Sequence, residues 1–478
     1  MVIPINLDMP ILNTVTFAPD SVIDPFGRVF FYNDQVYRAI NNDSEKICME
    51  LLNSDLFKEL VELHYIPKTW IDNDIKIEGS PLILHHEKCT IIKPYEWTFE
   101  AYKDASIFIL KLNKKCNEYG YELKDAHPFN VTFHKGEPLW FDIGSITKKE
   151  FNNDWIAKNE FIETCLIPLM LWRDNDYYLL RAILESDDIY YQRNFPYQSA
   201  LNNPYLFKKI SHLEQHYLIH GKWSIKTSRH FPSTIFRALD RIVAILKKKD
   251  KNYHFFKEKI FYRIPTIEEL LRITCKRDKT EWEDYCPSLN IADIEKEFPR
   301  FKIINDIISE KCSDARSILD IAGNSGQLAV YLNLIKKYET TFVVDNDEHA
   351  LTKGYSFFKK NHIPINTVWT NCIFMPNFPL DSKRLKSDIV FALAITHHLI
   401  LRQHIPLQLI FERIKKLSNK YVVIEFMPLG LWDGNSSPET PQWYTIEWFH
   451  NLFLNHFDLL HIQETETNRV LFLGTIKQ

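Results

Sequence analysis

Among 478 residues, no two cysteines stand at the C-x-x-C spacing of a zinc or dithiol site. The eight present (Cys48, Cys89, Cys116, Cys165, Cys275, Cys286, Cys312, Cys372) are scattered, which argues against a disulfide framework and a structural metal. They suit buried thiols in a reducing compartment. No run approaches the ~20 apolar residues of a membrane span; Thr164-Cys-Leu-Ile-Pro-Leu-Met-Leu-Trp172 is too short. The first residues, Met1-Val-Ile-Pro-Ile-Asn-Leu-Asp8, lack the basic and apolar regions of a secretory signal. A soluble, cytoplasmic protein is expected.

Charge of one sign is also missing. Lys plus Arg number 58 and Asp plus Glu 62, a net charge of −4. That balance argues against a whole-surface grip on nucleic acid or an anionic membrane. There is no internal repeat and no low-complexity tract. With 45% hydrophobic and 14% aromatic residues, the chain is globular.

The first ~215 residues mix short strands and helices. Arg28-Val-Phe-Phe-Tyr32 and Gln35-Val-Tyr-Arg-Ala-Ile40 flank Asn33-Asp34, which predicts a hairpin. Helical spacing runs from Lys46 to His64 and from Trp97 to Tyr119. A second strand pair, Asn130–Phe133 and Pro138–Asp142, follows. The stretch from about 220 to 300 is more charged and helical, and Lys247-Lys-Lys-Asp-Lys251 within it reads as a solvated helix end.

From Ser317 onward apolar runs alternate with helices. The runs are Ser317–Ile321, Thr341–Asp345, Ser387–Leu393, Lys420–Glu425 and Arg469–Gly474. Strands buried on both faces and separated by helices predict a largely parallel α/β sheet. In such a sheet a ligand lies beyond the carboxyl ends of the strands, at the switch in strand order. The turn Asp320-Ile-Ala-Gly-Asn-Ser-Gly326 falls there, and Asp345 ends the second strand. The G-x-G-x-x-G fingerprint of a pyrophosphate site is missing. An acid before a small-residue turn suits a cationic ligand without phosphate, and a carboxylate ending the next strand can bind ribose hydroxyls.

Four segments, Leu319–Gly326, Val343–Asp347, Asp388–Leu399 and Val423–Pro428, resemble the class I S-adenosylmethionine-dependent methyltransferases. The fuller pattern is similar to nodulation-associated methyltransferases that modify carbohydrate. The resemblance covers roughly Ser317 to the C-terminus and implies a Rossmann-like seven-stranded domain using S-adenosyl-L-methionine. It implies that Asp320, Gly323 and Gly326 hold the amino-acid end of the cofactor, with Ala322 and Asn324 of the same turn also in the cofactor site. Asp345 would bind ribose, Asn346 would flank adenine and Ala394 would line the pocket. The pattern departs at Ala322, usually Gly, and at Thr370-Asn371, where many members carry an acid. Methyl transfer to a hydroxyl calls for a base. His397 and His398 follow the fourth strand and are candidates for it, with Glu425 to orient a histidine or bind substrate. The polar segment Trp432–Tyr444 suits a substrate lid or a plain surface loop. No third ligand accompanies the histidines, so no metal is expected there.

In the N-terminal half, Asp125-Ala-His-Pro-Phe-Asn130 precedes Phe141-Asp-Ile-Gly144. This order resembles the catalytic loop and metal motif of the protein-kinase-like and aminoglycoside-phosphotransferase-like superfamily. That resemblance implies Asp125 as base, Asn130 and Asp142 as Mg2+ ligands, and ATP as a ligand of the domain. Leu123-Lys124 replaces the usual residues before the Asp, and Arg38 stands where a phosphate-contacting Lys is expected. The expected organisation is a kinase-like α+β domain over 1–220, degenerate or working, a helical connector over 221–300, and the methyltransferase-like domain over 301–478. The expected activity is SN2 methyl transfer to a hydroxyl-bearing small molecule or glycan. A bifunctional kinase-methyltransferase and a non-catalytic scaffold are the alternatives.

Overall fold

The computed structural model describes residues 15–18, 21, 24–150, 154–173, 175, 180, 184, 264–275, 279–282, 289–371, 373–375, 382–432 and 434–477. The N-terminal octapeptide, Lys247–Lys251, Cys286, Cys372 and most of the expected helical connector lie outside them. The chain forms two compact units. One comprises Met1–Cys89, Tyr102–Thr132 and Pro138–Lys276; the other comprises Thr90–Ala101, Phe133–Glu137 and Arg277–Gln478.

In the first unit, β1 (Gly27–Tyr32) and β2 (Gln35–Ile40) form the expected hairpin. Asn33 and Asp34 at its tip both have positive φ, 47° and 61°, as the tight turn requires. The segment expected as one helix is two: α1 (Glu45–Leu52) and α2 (Asp55–Glu62). Ser54 causes the break, because its hydroxyl accepts from the Phe57 N–H and starts a new helix. Strands β3 (Thr69–Asp72) and β4 (Leu82–His86) complete an antiparallel sheet of order β1-β2-β4-β3. Phe30, Tyr37, Ala39, Ile75 and Ile83 form a buried cluster there. Helix α3 (Phe99–Glu118) follows, then β5 (Tyr121–Leu123), the hairpin strands β6 (Val131–His134) and β7 (Glu137–Trp140), and β8 (Ile146–Lys148).

The second unit is built on seven strands: β9 (Ser317–Ile321), β10 (Thr340–Asp345), β11 (Asn366–Trp369), β12 (Ser387–Ala392), β13 (Ser418–Phe426), β14 (Phe457–Glu466) and β15 (Arg469–Ile476). Their order is β11-β10-β9-β12-β13-β15-β14. The first five are mutually parallel, while β15 runs antiparallel to β13 and β14 antiparallel to β15. The strand order reverses at β9, which pairs with β10 on one side and β12 on the other.

Helices α4 (Arg300–Lys311), α5 (Gln327–Ile335), α6 (Glu348–Lys360), α7 (Leu407–Leu417) and α8 (Ile446–His456) belong to this unit. Phe411 of α7 and Phe449 and Phe453 of α8 pack edge-on, with ring centroids 5.3–5.9 Å apart. Each such ring, removed from water, contributes roughly 1.5–3 kcal/mol.

Segments distant in sequence complete this unit. The Phe99 N–H donates to Glu348 Oε1 at 2.7 Å, and Gly136 N–H donates to Asn366 Oδ1 at 2.9 Å. Arg384 donates to the Ile91 carbonyl and, at 2.6 Å, to the Glu96 carboxylate. Glu96 and Glu348 are buried, so these are the partners that make their burial tolerable.

Candidate functional site

The carboxyl ends of β9, β10, β12 and β13 carry most of the residues singled out in the C-terminal half. After β9 the chain turns into α5 with Ala322, Asn324 and Gly326 all at positive φ, 54°, 53° and 85°. Two of those are not glycine, so the turn holds backbone strain of the kind found at functional sites. Gly326 has no alternative: a Cβ on it would lie 2.6 Å from the Phe358 ring. A Cβ on Gly323 would lie 2.6 Å from Asp320 Oδ2, so this residue must be small if the carboxylate is to keep its place.

Asp320 is 4% exposed, and among the described residues no donor reaches its carboxylate. Burial, and then the neighbouring Asp345, push its pKa up to about 8. Asp345 is treated differently by the fold. Its Oδ2 accepts the Asn324 N–H and its Oδ1 the Asp347 N–H, both at 2.8 Å. Burial still dominates and raises its pKa to about 6. Two acids therefore stand at one small-residue turn, Asp345 held by backbone N–H groups and Asp320 without a donor among the described residues. Asn346 is exposed, and its carbonyl accepts the Trp369 indole N–H at 3.1 Å. Asn371, where an acid was noted as missing, uses Oδ1 to cap the N–H groups of Ile373 and Phe374.

Past β12, Ala394 also has positive φ, 50°. Its N–H donates to Glu425 Oε2 at 3.0 Å, and the Thr396 hydroxyl donates to the Glu425 carbonyl at 2.7 Å. His397 and His398 stand at the start of a π-helical turn, His398–Arg402, a local geometry common at functional sites. Their rings are 4.1 Å apart, and among the described residues neither Nδ1 has a hydrogen-bond partner. Burial lowers the His397 pKa to about 3, helped by His398 and by the charge of Arg469. His398 is less buried, and its pKa is lowered by burial and by Arg402.

Glu425 is completely buried, and its hydrogen bonds do not go to a histidine. Arg469 donates to Oε2 at 2.8 Å, and Arg300 Nε stands 3.7 Å from Oε1. Arg300 in turn meets Glu466 at 3.0 Å. The carboxylate thus ties β15 and α4 to the Ala394 turn. Sequence reasoning missed Arg300 and Arg469, since nothing local pairs them with residue 425.

In the first unit, Arg38 and Asp142 come together although 104 residues separate them. Arg38 Nη1 contacts Asp142 Oδ1 and Asp24 Oδ2, each at 3.0 Å. Asp142 Oδ1 also accepts the Gly144 N–H at 3.2 Å. Asn130 and His127 are buried nearby in sequence, and among the described residues Asn130 Nδ2 and His127 Nδ1 have no partner. Asp125 is half-buried. Asp24 was not anticipated; burial raises its pKa against the opposing charge of Arg38. Among the described residues no group of His, Cys, Asp or Glu is arranged to hold a metal ion, and no helix is long and apolar enough to cross a membrane.

No family model matches the chain. It is 23% identical over 439 residues to the nodulation protein NoeA of Rhizobium meliloti (strain 1021), covering 85% of this chain and 83% of that one. Among solved structures, PH0226 from Pyrococcus horikoshii OT3 matches 42% of this chain and all of its own, at 13% identity and a TM-score of 0.34. An S-adenosylmethionine-dependent methyltransferase from Clostridium acetobutylicum matches 39% of this chain and 98% of its own, at 15% identity and a TM-score of 0.30.

Proposed function

We propose that the second unit binds S-adenosyl-L-methionine and transfers its methyl group to a hydroxyl of a small molecule or glycan. The observation that carries this reading is Asp320: a buried carboxylate at the switch point, without a donor among the described residues, beside a glycine that cannot be larger without displacing it. A cationic ligand group draws Asp320 into its ionised form and is held by it, whereas a phosphate would oppose the ionisation of Asp320 and Asp345 alike.

The residues fit the cofactor. Asp320, with Ala322, Gly323, Asn324 and Gly326, would hold its amino-acid end; Asp345 would hold ribose; Asn346 and Ala394 would border the base and the transfer site. When bound, the cofactor supplies an electrophilic methyl group. The protein's own contribution is to orient the acceptor, exclude water and take its proton. Of the two histidines, His398 is the more exposed, and its free Nδ1 suits it as proton acceptor. His397 is neutral and supports it by ring contact. Glu425 acts through the Ala394 N–H, as a positioning residue.

For the first unit, the geometry speaks against phosphoryl transfer. Arg38 already occupies Asp142 and Asp24, so the arrangement does not fit Mg2+, and no kinase step is assigned. Calorimetric titration with S-adenosylmethionine tests the leading reading; a wild-type protein that takes up no cofactor refutes it.

A further inference from the structure

The short segment Lys279–Trp282 touches both strand-end turns of the candidate site. The Trp282 carbonyl accepts the Asn324 side-chain N–H at 2.8 Å. Asn324 is the residue whose own N–H holds Asp345 Oδ2. On the other side, the Trp282 ring stands edge-on to His398, with centroids 5.2 Å apart at 78°. One residue earlier, Glu281 lies 3.5 Å from Arg402, an exposed pair that contributes little energy of its own. The contacts therefore run from Asp345 through Asn324 and Trp282 to His398. They join the turn after β9 to the turn after β12.

That arrangement is more than packing requires. Asn324 is only 9% exposed and is held at φ 53°, a strained backbone position for a residue other than glycine. Its side chain could cap the turn alone, and Oδ1 already accepts the Ser325 N–H at 2.9 Å. The amide nitrogen is turned instead toward residue 282. An indole is also the side chain best suited to face a cation, through its negative π-face.

Resting on the methyltransferase reading, we propose that Trp282 is a wall of the transfer site. It straps the cofactor turn to the histidine pair, so that a sulfonium-bearing ligand and the proton acceptor are enclosed together and shielded from water. Trp282 is then a ligand-contacting residue that comes from before the seven-stranded sheet.

The test uses the full chain and S-adenosylhomocysteine and S-adenosylmethionine as probes. Removal of the indole in Trp282→Ala is expected to weaken S-adenosylmethionine binding by about tenfold or more, with Trp282→Phe retaining part of the loss-sensitive affinity. S-adenosylhomocysteine, whose sulfur is an uncharged thioether, is expected to lose less. Amide exchange at residues 280–282 should slow when either ligand is added to wild-type protein. If both variants bind both ligands as wild type does, and exchange at 280–282 is unmoved, Trp282 is no part of the site. If wild-type protein binds neither ligand, the methyltransferase reading fails and this proposal falls with it. A melting temperature kept by Trp282→Phe separates lost contact from lost folding.

Discussion

If Asp320 awaits a cation, cofactor affinity must depend on pH in a particular direction. In the free protein its carboxyl is held near pKa 8 by burial and by Asp345. A ligand ammonium beside it favours the ionised form and returns the pKa toward the ordinary carboxylate range. Binding below pH 8 therefore expels a proton, and affinity falls as pH falls. With a free-state pKa of about 8, the penalty is a factor of about 2 at pH 8, about 10 at pH 7 and about 100 at pH 6. Between pH 8 and pH 6, S-adenosylmethionine affinity should drop about 50-fold, or roughly 2.3 kcal/mol. Calorimetry at pH 7 in buffers of different ionisation enthalpy should register close to one proton released. Asp320→Asn should bind weakly and lose most of this dependence. A wild-type affinity that is flat from pH 6 to 8, with no proton release, would refute the reasoning.

The same linkage makes the free protein less stable as pH rises. Because the folded Asp320 pKa lies above its unfolded value of about 3.8, the native state binds the extra proton, and stability declines from about pH 4 to pH 8. Asp320→Asn should accordingly raise stability at pH 8 by roughly 1–4 kcal/mol in denaturant unfolding, while wild-type-like stability would contradict the carboxyl's burial. Arg469→Gln leaves the buried Glu425 with the Ala394 N–H and, as its cation, only the more distant Arg300, and should cost about 3–5 kcal/mol; a loss under 0.5 kcal/mol would contradict the network. Gly323→Ala should weaken cofactor binding at least tenfold through displacement of the Asp320 carboxylate, read by calorimetry, with normal affinity as the adverse result. A chain cut to residues 301–478 lacks Ile91, Glu96, Phe99 and Gly136, and should show no cooperative unfolding; a sharp transition would show that those partners are dispensable.

Much of the second unit was legible because its central strands are apolar runs ended by turn chemistry. Ser317–Ile321 was read to the residue. Two strands were not. β11 has only four residues, and β14 alternates exposed Asp458, Leu460, Ile462 and Glu464 with partly buried positions, as befits an edge strand without a continuous apolar signal. The turn Asp320–Gly326 was visible in sequence because small residues must follow the acid. The clamp on Glu425 was not, since Arg300 and Arg469 lie 125 residues before it and 44 after it. The incorporation of residues 90–101 and 133–137 into the second unit was hidden for the same reason. In the first unit the hairpin could be anticipated from its turn residues, whereas the pairing of Arg38 with Asp142, 104 residues apart, could not. Asp24, which completes that ion cluster, carries no such signal.

Equilibrium titration of the purified full chain with S-adenosylmethionine at pH 8, beside Asp320→Ala and Asp345→Ala, bears most directly on the central claim. Micromolar-range binding, about −8 kcal/mol, weakened at least tenfold by each substitution, is the expected result. No binding by the wild-type chain, or equal binding by all three proteins, would contradict it.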